Sequence, residues 1–251
     1  MFDKLTLPER QSKPRSTGRT CIIDNGYGTA HFIDTIESHH PLVDAVKFGW
    51  GTSMVTKDLE RKIAILREHQ IDYLFGGTLL EVACLQNQID AFSRFVERHQ
   101  CPIVEVSDGT IPMSPDEKCD LIQRFSKDHI VWSEVGYKDQ QRSLDLPPSK
   151  WIEFMKASLE CGADMVLTEA RESGTSGICR SDGEVRFGLI EDILASGIKL
   201  EEVMFESPNK SLQTYFVKRV GSNANLANVA FADIVGLETL RLGLRSDSIE
   251  L

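Results

Sequence analysis

Eight short apolar runs alternate with stretches of helical spacing along this chain, and that alternation limits the possible folds more than any single motif does. The runs occupy 21–24, 44–48, 72–75, 103–106, 130–135, 165–169, 201–205 and 228–231. Near-continuous apolar character suits a strand buried on both faces, as in a parallel sheet flanked by helices. Between the runs, Leu59, Ile63 and Leu66 recur at helical spacing, and one long helix is expected over 80–99. Ser114, Pro115 and Glu117 read as a helix start, with Pro at the first helical position and Glu at the third. A helix over 148–161 should stop at Gly162, and 234–244 reads as the last. In 251 residues this pattern is that of one (β/α)8 TIM barrel, which typically takes about 250 residues. A doubly wound open sheet is the alternative, because periodicity does not show closure. Residues 1–19 are polar and interrupted by Pro8 and Pro14, so they read as an N-terminal arm, leaving 20–251 for the barrel.

The runs end in charged and small residues. In a barrel the functional groups stand at the C-terminal ends of the strands. Collected there are Asp24, Lys47, Thr78, Glu105, Ser107, Asp108, Glu134, Lys138, Glu169, Arg171, Glu172, Glu206 and Asn225. Carboxylates that converge from neighbouring strands repel one another unless a cation or a shared proton separates them. Glu105, Glu134 and Glu169 are therefore candidate oxygen ligands for Mg2+, with helix capping or pairing to Arg171 and Lys138 as the plainer roles. Lys47 and Lys138 are candidate acid–base groups, on the expectation that burial lowers a lysine's pKa; ordinary ion pairing is the alternative. The glycine-rich stretch after Glu169, with Arg171, Ser173, Gly174 and Thr175, could converge on an anion or simply cap a helix. Phosphate sites in barrels often use the loops after strands seven and eight, which brings in 207–210 and the loop 221–225 with Asn225.

A net charge of −10 argues against broad binding of nucleic acid or anionic membrane, both of which need clustered Lys and Arg. No apolar stretch approaches a membrane span, and the first twenty residues lack the apolar centre of a secretory signal, so a cytoplasmic setting is expected. The six cysteines form no CxxC pair, and idle thiols are expected rather than zinc ligands or disulfides. Trp50, Trp132 and Trp151 are assigned to the core in preference to an interface, although barrels of this size often form homo-oligomers.

The segments KPR at Lys13, DNGYG at Asp24, KFGWGTS at Lys47, GGTLLE at Gly76, VEVSDGTI at Val104, SEVGYKD at Ser133, TEARESGTSGIC at Thr168, FESPNK at Phe205, NLAN at Asn225 and LETLRLGLRSD at Leu237 resemble the phosphosulfolactate synthase family in order and spacing. The resemblance spans about 13–247, nearly the whole chain. It implies a (β/α)8 barrel and Mg2+-dependent addition of sulfite to phosphoenolpyruvate, giving the phosphate ester of (2R)-3-sulfolactate, a step of coenzyme M and sulfolactate biosynthesis. By the same resemblance Lys138 is the expected general acid, with Lys47 second. Glu105, Glu134 and Glu169 would hold the metal, Arg171, residues 173–177 and Ser107 would meet anionic substrate groups, and Asn225 would meet phosphate. Plant heat-stress-associated proteins are similar too. A different Mg2+ enzyme on the same scaffold, or a non-catalytic barrel of that plant kind, is the alternative; the latter should have lost its charged strand ends, and here they persist.

Overall fold

The computed structural model describes residues 5–250. Strands β1 (Thr20–Asp24), β2 (Ala45–Phe48), β3 (Asp72–Phe75), β4 (Ile103–Val106), β5 (Ile130–Val135), β6 (Met165–Thr168), β7 (Val203–Glu206) and β8 (Leu226–Val229) are all parallel. Each pairs with the next and β8 returns to β1, so the sheet closes and the open-sheet alternative is excluded. Around it run α1 (Thr29–His39), α2 (Leu59–Glu68), α3 (Gly77–Leu85), α4 (Ile89–Arg98), α5 (Pro115–Phe125), α6 (Gln140–Asp145), α7 (Pro148–Glu160), α8 (Phe187–Ala195), α9 (Lys210–Val220) and α10 (Ile234–Arg241). None of the described helices is long and apolar enough to cross a membrane.

Side chains alternate across each strand, and this parity builds two cores. Outward residues such as Ile22, Val46, Phe75, Val104, Val166 and Phe205 pack under the helices. Inward residues Cys21, Ala45, Leu74, Ile103, Trp132, Met165, Leu167, Met204 and Ala227 plug the lower barrel. Fully burying one Val, Leu or Ile side chain contributes about 1.5–3 kcal/mol, which sets the register strongly. Two residues beyond Ala45, Ile103, Trp132, Leu167 and Met204 stand Lys47, Glu105, Glu134, Glu169 and Glu206. The same parity that buries the apolar plug therefore delivers a layer of charge at the C-terminal mouth.

Several local expectations are corrected. The segment 80–99 is two helices, because Asn87 takes a left-handed conformation (φ 54°) that asparagine tolerates and that ends α3. The eighth strand begins two residues earlier than the apolar run suggests, since Asn228 interrupts that run. Cys119 on α5 and Cys161 just after α7 form a disulfide across 42 residues, a pairing of neighbouring helices that sequence spacing does not reveal. Cys21, Cys101 and Cys179 are buried thiols. Trp132 and Trp151 are core residues, but Trp50 is 56% exposed on the rim of the mouth.

The helix start at Ser114 is a capping box: Ser114 Oγ accepts from the Glu117 amide (3.2 Å) and Glu117 accepts from the Ser114 amide (2.8 Å). Residues 5–19 contain no helix or strand. They lie against the N-terminal end of the barrel, where Arg10 pairs with Glu238 (3.0 Å) and Arg15 with Asp44 (3.0 Å).

Candidate active site

A cavity of about 600 Å3 opens at the C-terminal ends of the strands, lined by Lys47, Glu105, Glu134, Lys138, Glu169, Arg171 and Glu206 among others. A hollow of about 670 Å3 lies at the opposite end, where Arg15 is paired with Asp44 and Lys13 donates to the carbonyls of His40 and Val43. Convergent polar groups therefore mark the mouth as the site.

Two lysines organise the carboxylates. Lys47 Nζ lies 2.8 Å from Glu105, 3.0 Å from Glu206 and 3.7 Å from Glu134. Lys138 Nζ lies 3.0 Å from Glu134, 3.6 Å from Glu169 and 3.9 Å from Glu81. Burial alone would lower the Lys47 pKa, yet Glu105, Glu206 and Glu134 outweigh it and hold the ammonium well above the usual lysine range. For Lys138 burial likewise pulls down, and Glu134, Glu169 and Glu81 prevail, so it too is raised. The expectation of lowered lysine pKa values is thus overturned by the surrounding carboxylates.

The carboxylates divide by their neighbours. Burial pushes Glu169 well above the carboxylate range, with Glu134 and Glu206 adding to it. Burial raises Glu206 to about 7 despite Lys47. Glu105 is also raised by burial, against the pull of Lys47. Glu134 feels the same burial, but Lys138 and Lys47 overcome it and depress its pKa. Glu134, Glu169 and Glu206 each offer an oxygen, and these lie within 4.8 Å of one another. Glu169 Oε2 is buried with no hydrogen-bond partner, Lys138 Nζ lying 3.6 Å from it. An all-carboxylate oxygen set with an unfilled acceptor suits a hard divalent cation.

Of the expected metal ligands, Glu134 and Glu169 are in this triad. Glu206 is its third member, though its oxygens also meet Lys47 (3.0 Å) and the Ala170 amide (2.8 Å); Glu105 lies outside the triad, on Lys47 and the Gly77 amide (2.6 Å). Arg171 lines the cavity from the rim, its Nη1 reaching the Lys138 carbonyl at 3.4 Å. Ser107 does not line the cavity; its hydroxyl donates to Glu81. Ser173, Gly174 and Thr175 form a turn outside the cavity, closed by a 2.7 Å contact between the two hydroxyls and by the Gly174 amide on Arg171 O. Asn225 is a correction. It stands at the N-terminal end of β8, its Nδ2 on the carbonyls of Leu200 and Val203 and its Oδ1 accepting from the Arg19 amide. The loop 221–225 follows α9, so it belongs to the opposite end of the barrel from any strand-end phosphate site.

Supporting contacts hold these groups still. Lys118 donates to Asp108 (2.6 Å) and to the Glu134 carbonyl (2.5 Å), and Ser176 Oγ donates to the carbonyls of Tyr137 and Lys138. Gly177 (φ 71°) lets the chain double back on Glu169: a Cβ there would lie 1.9 Å from Glu169 O. Asp24 accepts from the amides of Gly26 and Tyr27 and pairs with Lys62 at 2.5 Å, which fixes the first loop. Glu81 was missed from sequence. It is buried on α3 and also accepts from the amides of Thr110 and Ile111, so it ties the β4–α5 loop to Lys138; a Glu on the apolar face of GGTLLE was the available signal.

A closed (β/α)8 barrel with paired lysines and buried, mutually perturbed carboxylates at its C-terminal mouth is the architecture of a barrel enzyme. Residues 8–247 match the model of the family described as (2R)-phospho-3-sulfolactate synthase (ComA). The chain belongs to this family, and it is an enzyme of the phosphosulfolactate synthase kind. It is 48% identical over 247 residues to the phosphosulfolactate synthase of Bacillus subtilis, covering 98% of each chain. It is 36% identical over 252 residues to that of Methanothermobacter thermautotrophicus, covering 99% of this chain and 97% of the relative. The Arabidopsis thaliana protein HEAT-STRESS-ASSOCIATED 32 is 25% identical over 265 residues, covering 93% and 88%. Among solved structures, a 3-hexulose-6-phosphate synthase superposes with a TM-score of 0.57 at 12% identity, over 88% of this chain and 98% of that one. That likeness concerns the fold alone.

Proposed function

We propose that the protein adds sulfite to C3 of phosphoenolpyruvate to give (2R)-phospho-3-sulfolactate, with Mg2+ held by Glu134, Glu169 and Glu206. The observation that carries this reading is the ammonium of Lys138, kept protonated against Glu134 and Glu169 at the edge of the cation-fitting carboxylate triad. Bound there, Mg2+ would supply positive charge to the substrate carboxylate. Sulfite sulfur forms the new bond to the methylene carbon. The C2=C3 electron pair moves onto C2 and into the carboxylate, and a proton must then reach C2.

Lys138 is suited to deliver it. Its raised pKa keeps the proton in place until a strongly basic carbon appears. Its position on one wall delivers that proton to one face, which fixes the configuration at C2. At 28% side-chain exposure it can be reprotonated from solvent, whereas Lys47 at 6% is enclosed by three carboxylates and serves as their counter-ion. Arg171 on the rim receives an anionic group of an entering substrate.

The test combines Lys138→Ala with reaction in D2O. Wild type should place one deuterium at C2, and the variant should lose turnover by about 10²–10⁴-fold, the usual worth of a general acid. Near-normal turnover of the variant removes Lys138 from the role. Activity unchanged after exhaustive chelation removes the metal.

A further inference from the structure

Strand parity predicts an inward Val229 two residues after the inward Ala227. Val229 instead packs outward under the helices, and Asn228 lines the mouth directly above Ala227. The cause is a β-bulge: Thr20 pairs with Leu226 and Ile22 with Val229, so two steps along β1 face three along β8. Asn228 absorbs the extra residue in a left-handed conformation (φ 55°), which asparagine accepts more readily than other residues with a side chain. Its Oδ1, an acceptor, is buried without a partner, and its Nδ2 donates to no group among the described residues, which leaves the donor end of the amide free at the cavity lining. Strained backbone and an unpaired amide at one cavity-lining residue are features that folding alone does not favour and that gather at ligand sites.

Charge around the mouth is lopsided. Glu105, Glu134, Glu169 and Glu206 rise from the ends of β4 to β7, while Ile23, Asn25, Asn228 and Ala230 on the β8–β1 side are uncharged. Lys47 and Lys138 on the first wall are already paired with these carboxylates, whereas a phosphate group on the second wall meets no carboxylate. The amide of Asn228, re-aimed inward by the bulge, is a donor on that second wall. The geometry points to Asn228 as a specificity-determining residue that seats the phosphate group of the substrate through its Nδ2. The substrate is thereby oriented with its carboxylate toward Glu134, Glu169 and Glu206. The loops after strands seven and eight are a recurrent phosphate position in barrels, and Asn228 moves it from the expected Asn225 to the correct end of β8. This assignment rests on the proposed function and extends it to substrate orientation.

Two variants separate side chain from backbone. Asn228→Gly keeps the left-handed turn and removes the amide; Asn228→Asp keeps the shape and adds a negative charge. Binding of phosphoenolpyruvate is measured by calorimetry with Mg2+ and without sulfite, so that no turnover occurs, and thermal melting checks that each variant folds. Affinity is expected to fall about tenfold in Asn228→Gly and further in Asn228→Asp, with KM rising more than kcat falls. Wild-type binding together with undiminished binding by both folded variants overturns the role of Asn228 and leaves the proposed function standing. No binding by the wild type overturns both. If a variant does not fold, inorganic phosphate as a competitor against wild type decides: failure to displace phosphoenolpyruvate overturns the phosphate seat.

Discussion

Replacing Lys47 by methionine keeps the length and volume of the side chain and removes its charge from the centre of the mouth. The ammonium lies 2.8, 3.0 and 3.7 Å from Glu105, Glu206 and Glu134. At an effective dielectric constant of about 20, each such pair is worth about 4–6 kcal/mol, most of it offset by desolvation. Removing one partner from a buried ion-pair network costs about 3–5 kcal/mol, because the remaining charges stay buried and unpaired. Domain stabilities are about 5–15 kcal/mol, so the variant should fold but weakly. The penalty should depend on pH. At pH 8 the Glu206 carboxyl, which titrates at about 7, is ionised, and the full 3–5 kcal/mol of the same estimate is expected. At pH 5.5 Glu206 carries a proton, burial pushes its neighbours Glu105 and Glu169 in the same direction, and the loss should shrink to about 1–2 kcal/mol. Urea unfolding of chelated wild type and Lys47→Met at the two pH values reads the difference directly. Equal destabilisation at both would show that Lys47 acts through packing rather than charge.

Chelated wild type should itself lose stability as pH rises from 4.5 to 7. Over that window folded Glu206 holds a proton that the unfolded chain has released, on the order of 3 kcal/mol for this group, and Glu105 and Glu169 act in the same direction. Glu134 has a depressed pKa, so its contribution is present above 4.5 and is lost as pH falls. Melting temperatures from pH 4 to 8 should therefore peak near 5; a flat or rising profile up to pH 7.5 contradicts the assigned shifts. Gly177→Ala forces a Cβ to 1.9 Å from Glu169 O and should cost about 3 kcal/mol or more along with kcat, read by melting and kinetics. Asn225→Ala frees two carbonyls and one amide and should cost about 2–3 kcal/mol of stability while leaving KM for phosphoenolpyruvate unchanged, which separates the two ends of β8.

The barrel was legible because strand parity and helical spacing are local properties, and they survive reading one residue at a time. Lys47, Glu134, Lys138 and Glu169 were found as charged groups at the ends of apolar runs, and closure of the sheet places them together. Glu206 was visible at such an end, but its role next to Glu169 depends on β6 and β7 being neighbours in a closed ring. Glu81 escaped because it approaches from a helix rather than a strand. The bulge hides β8: Asn228 interrupts the apolar run, so the run points to a strand two residues late, and Asn225 lies at the opposite end of β8 from the mouth. The lysine pKa values failed for a related reason, since burial is readable from sequence whereas the number of carboxylates within 4 Å is a property of the assembled mouth.

By the proposed function, this mouth joins sulfite to phosphoenolpyruvate. Purified protein should be incubated with phosphoenolpyruvate and Mg2+, with and without sulfite, and the product identified by mass. Consumption that requires sulfite, with a product whose mass equals phosphoenolpyruvate plus sulfurous acid, is the expected result. Consumption of phosphoenolpyruvate that proceeds equally without sulfite, or no such adduct under any condition, would contradict it.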